Sequence, residues 1–185
     1  MSLDLEKQLT FYGAYHANSV NVFIHVVCVP LILFSAFEVA SNFGPFLSLP
    51  SWLQVPYLDA NLGTFAALTW GGLYVLLEPV AGTALALICL AAAAGTNYLR
   101  IAYPAVATQA AIAVHVACWL LQFLGHGKFE GRAPALLDNL FQAIFLAPLF
   151  VWLEVLFTIG YRPELKARVD KAVTAEVAKF RARKA

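Results

Sequence analysis

The chain has 185 residues, of which 61% are hydrophobic and only 12% are charged, with a mean hydropathy of +0.73 and a formal net charge of +1. A soluble domain is about half apolar and about a quarter charged, and a chain this short cannot hide so much apolar side chain from water. These values exclude an ordinary water-soluble domain and predict an all-α integral membrane protein with a single domain over residues 1–185.

The N-terminal segment, residues 1–21, is predicted to contain a short amphipathic helix over residues 2–17. Its apolar and aromatic positions recur at helical spacing: Leu5, Leu9, Tyr12 and His16. The opposite face carries Glu6, Lys7 and Gly13. Asn18 and Ser19 then provide a break and the N-cap of a second helix.

Residues 22–159 are predicted to contain the membrane helices. The first segment of membrane length covers 22–40 and includes Pro30. Residues 41–61, with three prolines and several aromatic side chains, are typical of a loop at the membrane interface. Three further apolar segments follow, over residues 62–77, 80–99 and 105–124, and the second is rich in Ala and Gly, which suits close helix packing.

The last apolar segment, 133–159, decides the predicted topology. The tail after it, residues 160–185, holds eight of the twelve Lys and Arg residues and is predicted to be a basic helix with i,i+4 pairs such as Glu164 with Arg168. A full crossing by 133–159 would export this tail, against the positive-inside tendency. We therefore expect Pro148 to divide the segment into two half-helices that do not cross, giving four spans with both termini cytoplasmic; five spans is the alternative. The tail is expected to contact membrane lipids and not nucleic acid, because it adjoins a membrane anchor.

The chain has four histidines: His16, His25, His115 and His126. With the N-terminus inside, His16, His25 and His126 all fall near the cytoplasmic face, and His115 shares a helix face with His126 at about 16 Å along the axis. Ionisable groups at membrane depth are functional candidates, and imidazole suits Zn, Cu, Fe and Ni, so a metal site is predicted. The alternative is that each histidine is a satisfied structural hydrogen-bonding group.

Polar residues near the histidines can support such a site. Glu130, Asp138 and Asn139 are candidates for the outer hydrogen-bond partner that a ligand imidazole usually has. Asp138 and Asn139 are equally consistent with capping or solvating a helix end.

Two blocks of sequence resemble a known family. The first contains Tyr12, His16, Asn21 and His25, and the second is the run QFLGHGKFEGRAPALLDNLFQAIFLAPLFVWLEVLF over residues 122–157. Together they resemble the membrane-bound 2-hydroxy-fatty-acid dioxygenases, the fungal group named for the metabolism of phytosphingosine to odd-numbered fatty acids, which also has bacterial members once described as a domain of unknown function.

The resemblance implies an Fe(II)-dependent α-oxidation, in which a long-chain 2-hydroxy fatty acid and O2 give CO2 and an acid one carbon shorter. It implies metal ligation by His16, His25 and His126, with His115 as a further candidate, and an endoplasmic reticulum location in a eukaryote or an inner-membrane location in a bacterium. A substrate that chelates through two oxygens, together with O2, leaves three positions of a six-coordinate metal for protein ligands. Lys128 and Arg132 are candidates for attracting the substrate carboxylate, or are charges that only set topology.

Two other functions remain open from the residues. One is a bis-histidine haem electron carrier, with a pair such as His25 and His115 as axial ligands. The other is a lipid-binding or scaffold protein without enzymatic activity, whose histidines are structural.

Overall fold

The computed structural model of the chain describes residues 4–134 and 140–184. Across these residues the regular structure is helical, as predicted, and consists of α1 (Leu5–Gly13), α2 (Ser19–Ser41), α3 (Leu62–Leu77), α4 (Pro79–Ala102), α5 (Pro104–Leu124), α6 (Leu140–Thr158) and α7 (Pro163–Lys184). A π-helical turn, Gly125–Glu130, extends α5, and Ser51–Leu53 forms a 3-10 turn. The predicted break before α2 is present, because Asn18 Oδ1 accepts hydrogen bonds from the backbone amides of Val20 and Asn21.

Three of the described helices are long and apolar enough to cross a membrane: α2, α4, and α5 with its π-helical extension. The helices α6 and α7 meet at a bend of 118° and together make up to one further span. The prediction of four to five spans is therefore reduced to three or four. The difference arises at α3, whose 16 residues rise about 24 Å, short of the roughly 30 Å of a hydrocarbon core.

The predicted break in the last apolar segment is present, but its position was wrong. Pro148 lies inside the continuous helix α6. The chain instead turns after Thr158, where Gly160 and Arg162 have positive φ angles of 87° and 45°, and Pro163 starts α7. Left-handed residues end a helix and proline is favoured at its first position, whereas proline within an apolar helix is tolerated when neighbouring groups satisfy the freed carbonyl.

The chain forms two compact units, and the described residues of Met1–Val29 and Leu121–Ala185 make up the first. In this unit α1 packs on α6 and α7. The face of α1 that was predicted to be polar is in fact the contact with α7: Glu6 accepts from Arg168 at 2.9 Å, so Arg168 pairs with α1 and not with Glu164. A Cβ on Gly13 would lie 2.6 Å from Val173 Cγ2, which shows how closely the two helices approach.

The second unit is Pro30–Leu120. Here α3 and α4 pack at small residues, as the Ala- and Gly-rich sequence predicted: a Cβ on Gly82 would meet the Tyr74 carbonyl oxygen at 2.0 Å. Asn61 donates a buried hydrogen bond to Asn97 at 2.6 Å, and Asn97 donates in turn to the Tyr57 carbonyl, so these amides are paired inside the apolar packing. The loop between α2 and α3 exposes Phe43 (78%) and Trp52 (79%), consistent with the predicted interfacial loop.

Positive charge is concentrated in the first unit. All of the twelve Lys and Arg residues except Arg100 fall in its two sequence ranges. The Arg132 guanidinium, just after the π-helical turn, lies 4.3 Å from the centre of the Phe180 ring on α7. The loop after α5 and the basic tail are therefore in contact, which is consistent with their predicted placement on one side of the membrane.

Candidate metal centre

Three of the four histidines meet in the first unit. His16 precedes α2, His25 lies in its second turn, and His126 lies in the π-helical turn. One ring nitrogen from each lies within 4.8 Å of the other two. The ring centroids are 4.4–4.9 Å apart and the ring planes cross at 71–82°, so the three rings pack edge to face in one cluster.

The local helical geometry fixes the orientation of two of these rings. Nδ1 of His16 bonds the Tyr12 carbonyl at 2.8 Å, and Nδ1 of His25 bonds the Asn21 carbonyl at 2.9 Å, each four residues earlier in the chain. A carbonyl oxygen can only accept, so each Nδ1 carries the proton. In the neutral imidazole the lone pair is therefore on Nε2, the arrangement usual for a metal-ligating histidine.

Two of the other ring nitrogens have no hydrogen-bond partner among the described residues. His16 Nε2 and His126 Nδ1 are buried atoms without a hydrogen bond to any residue that the structure describes. A buried polar atom without a partner is unfavourable, and a metal ion is a partner that a lone pair can take. Three imidazoles at this spacing thus fit a first-row transition metal, with Fe, Zn, Cu and Ni all compatible with the donor set.

The electrostatics at His16 favour the form that binds a metal. Although part of its side chain is exposed, burial lowers the pKa of His16 well below its ordinary value, and the neighbouring His25 and His126 add to that shift. At neutral pH the His16 ring is therefore uncharged. A neutral imidazole is the form that donates a lone pair.

A glycine allows the His126 segment to approach α2. A Cβ on Gly125 would lie 2.5 Å from Asn21 Oδ1 and 3.4 Å from Ile24 Cδ1, so only a residue without a side chain fits between His126 and α2. Gly127, on the other side of His126, has open space at the same position. The sequence run Gly125-His126-Gly127 therefore contains one glycine that is required by packing and one that is not.

Glu130 holds the two histidine-bearing segments together. Its carboxylate accepts from the backbone amides of Ala17 and Asn18, both at 3.0 Å, and from the side-chain amide of Asn21 at 3.1 Å. The sequence predicted Glu130 as a partner of a ligand imidazole. The structure instead shows it bonded to the backbone between His16 and α2 and to the side chain of Asn21, so it fixes the chain that carries His16 and His25.

His115 lies in the second unit and is not a member of this cluster. Trp119 Nε1 donates to His115 Nε2 at 3.0 Å, so the proton of the neutral ring is on Nδ1, which donates to Ser35 Oγ at 2.9 Å. Ser35 in turn donates to the Ile32 carbonyl. Both ring nitrogens of His115 are engaged in this chain of hydrogen bonds, which leaves no lone pair for a metal.

The other predicted site residues are distributed differently. Asp138 and Asn139 lie outside the described residues. Lys128 is exposed, 5.7 Å from the ring of the adjacent Phe129. Arg132 donates to the Ala14 carbonyl at 2.8 Å and stacks on Tyr15 at 3.5 Å, and it lines a cavity of about 610 Å³ that contains none of the histidines.

A second cavity, of about 670 Å³, is lined by His16 and His25. Its walls come from α1, α2, α6 and α7 and are mainly apolar, including Leu9, Val22, Phe150, Val151, Val169, Val173 and Val177. Its polar lining includes Tyr12, Glu154, Lys166, Asp170 and Arg181. We call this space the histidine cavity.

Sequence reasoning missed two parts of the histidine cavity. Tyr12 stacks on His16 with ring centroids 3.8 Å apart and on Phe150 at 4.2 Å, and its position four residues before His16 was the available signal. Burial raises the pKa of Tyr12 well above its ordinary value, and Glu154 adds to the shift, so the phenol stays protonated. The sequence did not predict that α7 forms a wall of the cavity, because the composition of the tail is typical of a solvated basic helix.

Comparison with known proteins places these features in a family. The family model described as 2-hydroxy-palmitic acid dioxygenase Mpo1-like matches residues 2–159, which include all three clustered histidines. The chain is 36% identical over 168 residues, 91% of its length and 88% of the relative's, to the 2-hydroxy-palmitic acid dioxygenase MPO1 of Saccharomyces cerevisiae. No solved structure matches the chain. On this evidence the chain belongs to the Mpo1-like family of 2-hydroxy-palmitic acid dioxygenases.

Proposed function

We propose that this protein is a membrane dioxygenase that converts a long-chain 2-hydroxy fatty acid and O2 into CO2, water and the fatty acid one carbon shorter. The reaction balances without another reductant: cleavage of the C1–C2 bond takes C2 to a carboxyl and C1 to CO2, which releases four electrons, and O2 takes up four. The observation that carries the proposal is the cluster of three histidines, two of which line a mainly apolar cavity, in a chain whose yeast relative is named for this class of substrate.

We propose His16, His25 and His126 as the ligands of one Fe(II). When bound there, Fe(II) supplies the one-electron chemistry that allows O2 to react with a closed-shell organic substrate. The protein residues set the conditions for this. The carbonyls of Tyr12 and Asn21 keep Nδ1 of two rings protonated, so that Nε2 is available, and Glu130 fixes the chain between those rings.

The histidine cavity suits an amphiphilic substrate. Its apolar walls on α6 and α7 match an acyl chain, for which each methylene withdrawn from water contributes about 0.8 kcal/mol. Lys166 and Arg181 line the same cavity and provide positive charge for a carboxylate. Lys166 also forms a salt bridge with Asp170. Of the two cations, we therefore expect Arg181 to contribute more to binding an anionic ligand.

The geometry favours this proposal over the haem carrier. The proposed axial pair included His115, whose two ring nitrogens are both hydrogen-bonded. The three clustered rings lie 4.4–4.9 Å from one another with planes crossing at 71–82°, which leaves no room for a porphyrin between any two of them. A lipid-binding scaffold does not account for the buried ring nitrogens without partners.

We also propose that the metal centre lies at the cytoplasmic side of the membrane. That membrane would be the endoplasmic reticulum membrane in a eukaryote or the inner membrane in a bacterium. The start of α2 and the end of α5 meet at Glu130, and the basic residues collect in the same unit. Cytoplasmic loops carry an excess of Lys and Arg. Accessibility of single cysteines at Lys128 and Lys179 measures the side directly, and labelling from opposite sides contradicts this placement.

The decisive experiment combines metal analysis with turnover. Purified full-length protein is stripped of metal, reloaded with Fe(II), Zn or Ni, and given a 2-hydroxy fatty acid with and without O2. We expect one Fe per chain, and a product one carbon shorter only with Fe(II) and O2. The matched substrate control is the unsubstituted fatty acid, which lacks one chelating oxygen and should turn over poorly. Equal turnover of the two acids, a Soret band, or a hydroxylated product of unchanged length contradicts the proposal.

A further inference from the structure

Tyr12 carries a buried hydroxyl group. The side chain is 7% exposed, and its hydroxyl has no hydrogen-bond partner among the residues that the structure describes. Burying a hydroxyl without a partner is unfavourable, so the contacts among the described residues give no reason for a tyrosine here in place of phenylalanine.

The position of Tyr12 points to a ligand. Its ring is held between His16, at 3.8 Å, and Phe150, at 4.2 Å, so its orientation is fixed by packing on both faces. Its carbonyl also accepts the Nδ1 hydrogen of His16, so the residue is tied to this metal-ligand candidate through both ring and backbone. Tyr12 lines the histidine cavity together with His16 and His25.

We propose that the Tyr12 hydroxyl donates a hydrogen bond to the carboxylate of the substrate in the histidine cavity. This inference rests on the proposed function, since it assigns a residue that recognises the acid end of the same substrate. A phenol is a donor with a fixed direction, and a carboxylate accepts only, so the pair is complementary. A hydrogen bond to a charged group is stronger than a neutral one, and the low-polarity walls of the cavity strengthen it further.

The chain contains a matched control. Tyr74, on α3 in the second unit, is 0% exposed and its hydroxyl is also without a partner among the described residues, but it does not line the histidine cavity. Tyr12→Phe and Tyr74→Phe therefore remove the same buried group from two environments, one with the cavity and one without it.

The test measures equilibrium binding and does not depend on turnover. Metal-free, full-length protein in nanodiscs is titrated with three radiolabelled ligands of one chain length: the 2-hydroxy acid, the unsubstituted acid and the 1,2-diol. We expect Tyr12→Phe to weaken both acids about ten- to a hundredfold, which is the size expected for one hydrogen bond to a charged group, and to leave the diol unchanged. Tyr74→Phe should change none of the three, and both variants should retain one Fe per chain after loading.

Three outcomes overturn the inference. In the first, Tyr12→Phe binds the acids as tightly as the parent protein does, and in the second its affinity for the diol falls as much as its affinity for the acids. In the third outcome only the affinity for the 2-hydroxy acid falls, which would place the Tyr12 hydroxyl at the substrate 2-OH. The proposed function fails separately. If the parent protein binds the acids but produces no shortened product with Fe(II) and O2, the reaction is wrong, whereas the Tyr12 contact is still decided by the binding data.

Discussion

The Asn21 side-chain amide donates to the Glu130 carboxylate at 3.1 Å, across 109 positions of sequence. The same carboxylate accepts hydrogen bonds from the backbone amides of Ala17 and Asn18. The Glu130 side chain therefore holds the π-helical turn, which carries His126, against the segment between His16 and His25. These hydrogen bonds hold the chain segments that carry the three histidines against one another.

Glu130→Ala should loosen the metal centre without removing a ligand. It deletes three hydrogen bonds to one carboxylate, and we expect a loss of at least about 2 kcal/mol of stability together with roughly ten- to a hundredfold weaker metal binding. Competition with a chelator measures the affinity. The control is Glu6→Ala, which removes only the exposed pair with Arg168 and should cost less than about 1 kcal/mol. Unchanged metal affinity in Glu130→Ala would show that the carboxylate does not organise the ligands.

The four histidines should separate into two classes. Replacing His16, His25 or His126 with Ala should abolish bound iron and turnover together, because each contributes one nitrogen to the cluster. His115→Ala should retain iron near one per chain but unfold at lower temperature, because it breaks the bonds to Ser35 and Trp119. Iron content by elemental analysis and thermal unfolding distinguish the classes. A loss of iron in His115→Ala, with the fold intact, would add it to the ligand set.

Gly125→Ala should disrupt the site although it changes no polar group. The added Cβ would lie 2.5 Å from Asn21 Oδ1, so the π-helical turn must move away from α2 and carry His126 with it. We expect about 1–3 kcal/mol of destabilisation and reduced iron content. Gly127→Ala is the matched control, since it has open space, and it should bind iron normally. Equal behaviour of the two variants in iron content would contradict the close approach.

The stability of the metal-free protein should fall as the pH is lowered below about 6.5, the ordinary pKa of histidine. The pKa of His16 is lowered in the folded protein, so the unfolded chain takes up a proton there that the folded chain does not. The stabilisation is thus present above the unfolded pKa and is lost as pH falls towards the folded pKa. Unfolding of metal-free parent and His16→Gln proteins between pH 5 and 8 measures it, and the variant should show the smaller pH slope. Identical slopes would show that His16 is not responsible.

The α7 wall of the histidine cavity should limit the acyl chain. Val177→Phe fills part of the cavity, so we expect the preferred substrate to become shorter, with affinity for the longest chains falling about fourfold for each methylene displaced. Val155→Phe is the control, because Val155 is 39% exposed and does not line the cavity. Turnover across a series of 2-hydroxy acids measures the preference. An unchanged profile in Val177→Phe would place the acyl chain elsewhere.

The sequence determined the features that depend on local patterns of apolar and polar residues. The excess of apolar residues required a membrane environment, and the helical spans followed from the lengths of the apolar runs, within a few residues of α2, α4 and α5. The scarcity of histidine in an apolar chain identified the candidate ligands. The distribution of Lys and Arg predicted that the basic tail and the loop with Lys128 and Arg132 share one side of the membrane, and the contact of Arg132 with Phe180 is consistent with that placement.

Only the tertiary structure decided which of these residues meet. His115 and His126 share one predicted helix face, but His115 is hydrogen-bonded to Ser35 and Trp119, whereas His126 lies in a cluster with His16 and His25. Pro148 was predicted to break the last apolar helix, but the helix continues through it and the chain turns at Gly160. The end of a helix depends on the backbone conformation of the residues that follow it as well as on proline. The cavity wall on α7 and the stacking of Tyr12 on Phe150 arise from contacts between segments more than a hundred residues apart, and spacing along a chain carries no information on contacts of that kind.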